Sequence, residues 1–186
     1  MWSTKDLTMV VSLAVVGLVL TLLVVQSASM ITGIPGANAV FTVILATLTS
    51  FSLLMYEGRR WRFFAQMTIF MLLIVPTYLG GLPFDLLGKI YIVVTAFVVD
   101  IVVNSLYPVF SGRKKLKLWS VLNGLFYWVL QPLVSILIST FLYAPAFFST
   151  FVSVFVMLLP VTIVESLAGG YLGYRLYQRV KTTKQG

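Results

Sequence analysis

Residues 7–25 form an unbroken stretch of 19 uncharged, mostly apolar side chains, and five further apolar stretches follow it. A helix needs about 20 such residues to cross a hydrocarbon core ~30 Å thick. The six stretches cover residues 7–25, 39–56, 63–78, 86–110, 118–142 and 147–174. They are apolar on all sides, unlike the alternating segments of about ten residues that build a membrane β-barrel. Composition points the same way. The chain is 60% hydrophobic and 10% charged, against roughly 45–50% and about 25% for a soluble domain. A water-soluble fold of 186 residues cannot bury that much apolar surface, and the chain is too apolar to be disordered. The sequence therefore predicts an all-α integral membrane protein. It is a multi-pass protein of the cell membrane, with one transmembrane domain over residues 1–186 and six transmembrane helices.

The connections set the orientation. Glu57-Gly-Arg-Arg-Trp-Arg62 ends the second stretch and Ser111-Gly-Arg-Lys-Lys-Leu-Lys117 the fourth. With six crossings, one side collects Lys5, Arg59, Arg60, Arg62, Arg113, Lys114, Lys115, Lys117, Arg175, Arg179, Lys181 and Lys184, and the other Lys89 alone. The positive-inside rule then places both termini in the cytoplasm. Trp2, Trp61 and Trp119 fall at the same interface, where indoles commonly sit. The net charge of +8 is explained by orientation and by contact with anionic membrane lipid. Basic residues scattered over loops with no soluble module behind them do not make a nucleic-acid site. The first stretch is longer than the apolar core of a cleaved signal peptide, usually 7–15 residues, and reads as a retained helix.

Absences narrow the chemistry. There is no Cys and no His, which removes thiolate metal sites, the commonest general base and Ser–His hydrolysis. The acids are Asp6, Glu57, Asp85, Asp100 and Glu165. Rhomboid-like and zinc proteolysis lack their His, and phosphatidyltransferase chemistry lacks its aspartate cluster. No metal and no cofactor is expected.

Ionisable and polar groups inside a membrane are functional candidates by default. Asp85 and Lys89 are four apart and can pair on one helix face. Asp100 lies about 21 Å into the fourth helix, with Asn104 one turn below and Glu165 at similar depth on the sixth. These three read as a buried structural network near the inner interface, as a proton or cation relay, or as a contact with a partner subunit. Gln131 precedes Pro132, which removes a backbone donor; the pair reads equally as a kink or as a mid-membrane site. Tyr78, Phe84, Tyr91 and Tyr143 lie near the nearly uncharged outer connections, with Asn38 closing the first of them. Aromatics backed by amides suit a small flat organic molecule, although an aromatic belt predicts the same residues. Thr8, Ser12, Ala14 and Gly17 on the first helix, and Gly169, Gly170 and Gly173 on the sixth, permit close helix approach, within the bundle or by a separate subunit.

The closing segment Glu165-Ser-Leu-Ala-Gly-Gly-Tyr-Leu-Gly-Tyr-Arg-Leu-Tyr-Gln-Arg179 and the loop Gly33-Ile-Pro-Gly-Ala-Asn38, on a six-helix chain of this length, resemble the substrate-binding S component of energy-coupling factor vitamin transporters. That resemblance implies a vitamin-like substrate bound near the outer face, with loops 27–38 and 79–85 helping to close the site and helices four to six lining it. It also implies a transmembrane coupling subunit and cytoplasmic ATPases as partners. The family's alanine-xxx-alanine docking motif is matched here only by Thr8-xxx-Ser12. Having no phosphate-binding Gly-x-x-x-x-Gly-Lys-Ser/Thr loop, the chain would not itself use ATP. Three other readings stay open at this level. One is a non-transporting accessory subunit. Another is an independent carrier or channel, although no repeat relates residues 1–90 to 91–186. The third is a membrane enzyme.

Overall fold

A computed structural model describes residues 2–26, 42–79, 82–142 and 145–183. Among them the fold is entirely helical, with six α-helices: α1 (Thr4–Leu20), α2 (Thr42–Tyr56), α3 (Arg62–Ile74), α4 (Leu86–Gly112), α5 (Leu116–Leu142) and α6 (Pro145–Thr183). A wider π-helical turn, Thr21–Gln26, continues α1. Four segments are long and apolar enough to cross a membrane: Thr4–Val24, Leu86–Gly112, Leu116–Leu142 and Phe155–Thr183. The other two, α2 and α3, have 15 and 13 residues, about 22 and 20 Å of rise, less than the ~30 Å of a hydrocarbon core. The outer surface is apolar over long tracts, including Val11, Val15, Val19, Leu133, Leu137 and Phe141. Soluble monomers rarely expose such patches.

Local chemistry places the ends. Ser3 caps α1 through a capping box with Asp6: the Asp6 amide donates to Ser3 Oγ at 3.1 Å and the Ser3 amide to Asp6 Oδ2 at 3.2 Å, satisfying N–H groups the first turn leaves without partners. Asp85 caps α4, accepting from the Gly88 amide at 2.8 Å. Two segments differ from the sequence expectation. The third apolar stretch ends as a helix at Ile74 rather than at residue 78, because Pro76 cannot donate and the chain turns. Residues 175–183, beyond the expected end of the sixth stretch at 174, continue α6. They are held by turn-spaced contacts: Gln178 Nε2 donates to Tyr174 Oη at 2.9 Å and Lys181 Nζ to Tyr177 Oη at 3.4 Å. The expected start of the second stretch, residues 39–41, lies outside the described residues.

The helices form a closed ring in the order α1, α3, α4, α5, α6, α2, with α2 also touching α3 and α5. At one end, Asp6 pairs with Arg59 at 2.6 Å and Arg62 at 3.2 Å, and Arg62 stacks over Trp2 at 4.9 Å. Arg60 reaches Ser105 at 3.2 Å and Tyr177 reaches Glu57 at 3.4 Å. The start of α1, the α2–α3 turn, the last turns of α4 and the end of α6 thus meet at the basic end. Near it lies the main core, built on Tyr56, Phe63, Trp119 and Tyr127 with Leu53, Val99 and Val103.

The glycines of α6 serve close packing inside the ring. A Cβ on Gly169 would stand 2.6 Å from both Ala46 Cβ and the Val43 carbonyl oxygen, and one on Gly173 2.7 Å from the Thr47 carbonyl oxygen. One on Gly170 would stand 2.7 Å from Val121 Cα. Backbone therefore meets backbone on both sides of α6, and Ser120 Oγ donates to the Gly170 carbonyl at 2.8 Å.

Candidate ligand cavity

Three of the costly intramembrane charges serve helix ends. Asp100, fully buried on α4, sits at the start of α3. Its Oδ1 accepts from the Trp61 amide at 2.8 Å and from Asn104 Nδ2 at 2.9 Å, and its Oδ2 accepts from the Phe64 amide at 2.9 Å. Trp61, at φ +71°, supplies no side-chain cap of its own, so α4 provides it. At the other end of α3, the buried Lys89 Nζ donates to the carbonyls of Ile74 at 3.0 Å, Val75 at 3.1 Å and Thr77 at 2.6 Å. Those three acceptors match the three donors of an ammonium. Lys89 and Asp100 are about 17 Å apart along α4 by helix rise, close to the length of α3. A carboxylate thus faces the positive end of the α3 dipole and an ammonium its negative end. Glu165 on α6 does the same for α2, accepting from the Val43 amide at 3.2 Å.

Inside the ring, toward the end away from the basic loops, lies a cavity of about 350 Å³, at the lower end of the ~300–1,000 Å³ typical of ligand pockets. All six helices line it, through Gly17 of α1, Thr49 of α2, Gln66 of α3, Tyr91 of α4, Gln131 of α5 and Thr162 of α6 among others. The walls are mainly aliphatic and aromatic, with Phe70, Trp128 and Phe155 contributing rings. Among the described lining residues there is no Asp, Glu, Lys or Arg. Tyr56 Oη donates to Gln66 Oε1 at 2.7 Å from beneath, and Tyr127 packs edge-on against Phe63 and Trp128 with centroids 5.5 and 5.3 Å away. The lower wall is therefore held by ring packing and one hydrogen bond.

Of the residues singled out from the sequence, Tyr91 and Gln131 line this cavity. Tyr78 and Phe84 are 73% and 75% exposed on the segment between α3 and α4. Asp85 caps α4. Lys89, expected to pair with Asp85 one turn away, directs its ammonium to the end of α3. Asn38 and Tyr143 lie outside the described residues. On α1, Thr8 and Ser12 are exposed while Ala14 is buried against the core and Gly17 faces the cavity. Asn104 supports Asp100.

Sequence reasoning missed Gln66, Tyr127 and Trp128. A signal existed for Trp128. The other three tryptophans sit beside loops, whereas Trp128 lies in mid-span one turn from Gln131 and Pro132, where an indole N–H has no interfacial water to meet. Comparison with family models, with curated proteins and with solved structures gives no match for this chain.

Proposed function

We propose that this chain is a membrane-embedded substrate-binding protein that captures a small uncharged molecule in the six-helix cavity. We further propose that it acts as the S component of an ATP-driven importer of the energy-coupling factor type. The observation that carries the binding reading is the cavity itself: all six helices converge on it and no charged side chain among the described residues lines it. A charged ligand entering such a site would lose its hydration without a counter-charge, which is strongly unfavourable. Each of the five acids has a structural engagement: Asp6 with Ser3 and two arginines, Glu57 with Tyr177, and Asp85, Asp100 and Glu165 at helix N-termini. That distribution favours binding over catalysis.

The importer reading rests on the resemblance of the closing segment and first loop, on the six-helix count and on the one-sided basic charge. In this reading both termini are cytoplasmic, the cavity opens outward, and a coupling subunit with its ATPases docks on the membrane-facing side of α1 that carries Thr8 and Ser12. The test is thermal unfolding of the detergent-purified chain against neutral B vitamins, their precursors and nucleobases. A ligand at a hundredfold excess over its Kd stabilises the folded state by about 2.7 kcal/mol, so a saturable rise in midpoint with one compound is expected. No shift with any compound would sink the binding reading. Uptake into liposomes by the chain alone would replace the importer reading with that of an independent carrier.

A further inference from the structure

The polar groups of the cavity wall differ in what they can offer a guest. Thr21 Oγ1 donates to the Gly17 carbonyl at 2.7 Å within its own helix. Trp128 Nε1 and Gln131 Oε1 are sealed by the packing around them, with essentially no accessible surface. The hydroxyls of Thr49, Ser135 and Thr162 rotate, so each can donate or accept. Gln66 is different. It is 2% exposed and lines the cavity. Its Oε1 accepts from Tyr56 Oη at 2.7 Å. Tyr56 is fully buried and is not among the described lining residues, so the amide oxygen is turned away from the cavity. The amide nitrogen diverges from that oxygen on the same carbon. Among the described residues Gln66 Nε2 has no hydrogen-bond partner, and it is not one of the sealed atoms. The little surface that Gln66 keeps therefore includes its nitrogen, on the cavity side. A fixed donor points into a mainly apolar space, one turn from the start of α3, and native folds rarely leave such a buried N–H unmatched.

From this we infer that Gln66 Nε2 selects the ligand, by donating to a carbonyl-type oxygen at one end of a neutral, mainly apolar molecule. Tyr56 is the positioning residue, because its hydroxyl fixes which side of the amide faces the cavity. The inference rests on the binding reading above and names the atom through which that site discriminates. A ligand oxygen gives the N–H the acceptor that the fold withholds, while Leu48, Phe70 and Leu158 in the wall meet the apolar body. The oxygen is a neutral one, because a carboxylate would find no counter-charge among the described lining residues. An analogue without the oxygen leaves a buried donor unmatched, which a polar site penalises sharply.

The test uses pairs of probes that differ at one atom, on the detergent-purified full chain. Two ketones, 1-indanone and benzophenone, are each set against the hydrocarbon with CH2 in place of the oxygen, 1-methyleneindane and 1,1-diphenylethylene. Indole against indene does the same for a ligand N–H. Calorimetric Kd values are read alongside the neutral-ligand thermal panel. At least one ketone is expected to bind saturably, about tenfold or more tightly than its hydrocarbon partner. Gln66→Met is expected to bring that ratio to one or below. Tyr56→Phe frees the amide to turn round, so the ketone preference is expected to fall while the preference for indole over indene rises. A merely structural role for Tyr56 would move both pairs alike. The wild-type ratios need no variant, so a variant that does not fold leaves the test intact. A ketone bound no better than its hydrocarbon, or a preference that Gln66→Met leaves intact, overturns the inference while the binding reading stands, with water then the partner of Nε2. A wild-type preference for indole over indene that exceeds the ketone preference also overturns it, because the amide oxygen then faces the cavity. Binding of thermal-panel compounds but of neither ketone does the same. No binding of any ligand overturns both readings.

Discussion

The two short helices and the four long ones face one problem, the polar groups at helix ends in apolar surroundings, and meet it differently. Two of the long helices, α1 and α4, are capped by neighbours in their own chain segment, Ser3 and Asp85. Helices α2 and α3 begin beside the middle of a longer neighbour, and that neighbour supplies the cap: Asp100 and Lys89 from α4, Glu165 from α6. The difference teaches why the chain tolerates three ionisable groups at depth. Each is matched to a helix end, and none is among the described residues that line the cavity. What looks like the raw material of a proton relay is the means by which two short helices are stabilised.

The comparison can be broken at its strongest point by Asp100→Ala. The Trp61 and Phe64 amides at the start of α3 and the Asn104 amide then lose their acceptor, at roughly 1–3 kcal/mol for each group left buried and unmatched. We expect the largest loss of thermal stability here, about 3 kcal/mol or more, and a smaller loss for Asp100→Asn, which keeps one acceptor. An unchanged unfolding midpoint in Asp100→Ala would refute the capping role. Next is Lys89→Met, which keeps the length of the side chain but frees three carbonyls. A loss of about 2–3 kcal/mol is expected, and a neutral outcome in the same melting experiment would count against it. Glu165→Ala should cost about 1–2 kcal/mol, the range of an N-cap deletion, with faster hydrogen exchange at the Val43 amide as its local signature. Slower or unchanged exchange there would show that the carboxylate is not the cap. At the basic end, Arg59→Ala should change stability by under about 1 kcal/mol, because Arg59 is itself exposed and its buried partner Asp6 keeps Arg62 and the Ser3 amide, and ion pairs with an exposed member contribute little. An effect as large as that of Asp100→Ala would erase the distinction between buried caps and surface pairs.

Much of this architecture is legible in the sequence. The six apolar stretches correspond to six helices, and the basic loops mark the end where Asp6, Arg59 and Arg62 meet. Gln131 and Pro132 point to the turn that borders the cavity. The rest depends on partners far apart in the chain. Nothing near Asp100 in sequence shows that the Trp61 and Phe64 amides need an acceptor, because the positive φ of Trp61 arises in the α2–α3 turn. The spacing of Asp85 and Lys89 suggests a local pair. An amide one turn into α4 and three carbonyls at and just past the end of α3 are the partners the fold provides. The shortness of α3 follows from Pro76, a signal present in the sequence but outweighed there by the apolar run around it.

The glycine strip of α6 has a mechanical consequence. Where backbones touch directly, no side chains lie between them to change rotamer and absorb a displacement, and sliding one helix past another would drive main-chain atoms together. On the glycine side of the ring, α2, α5 and α6 are therefore held backbone to backbone and have no slack to slide.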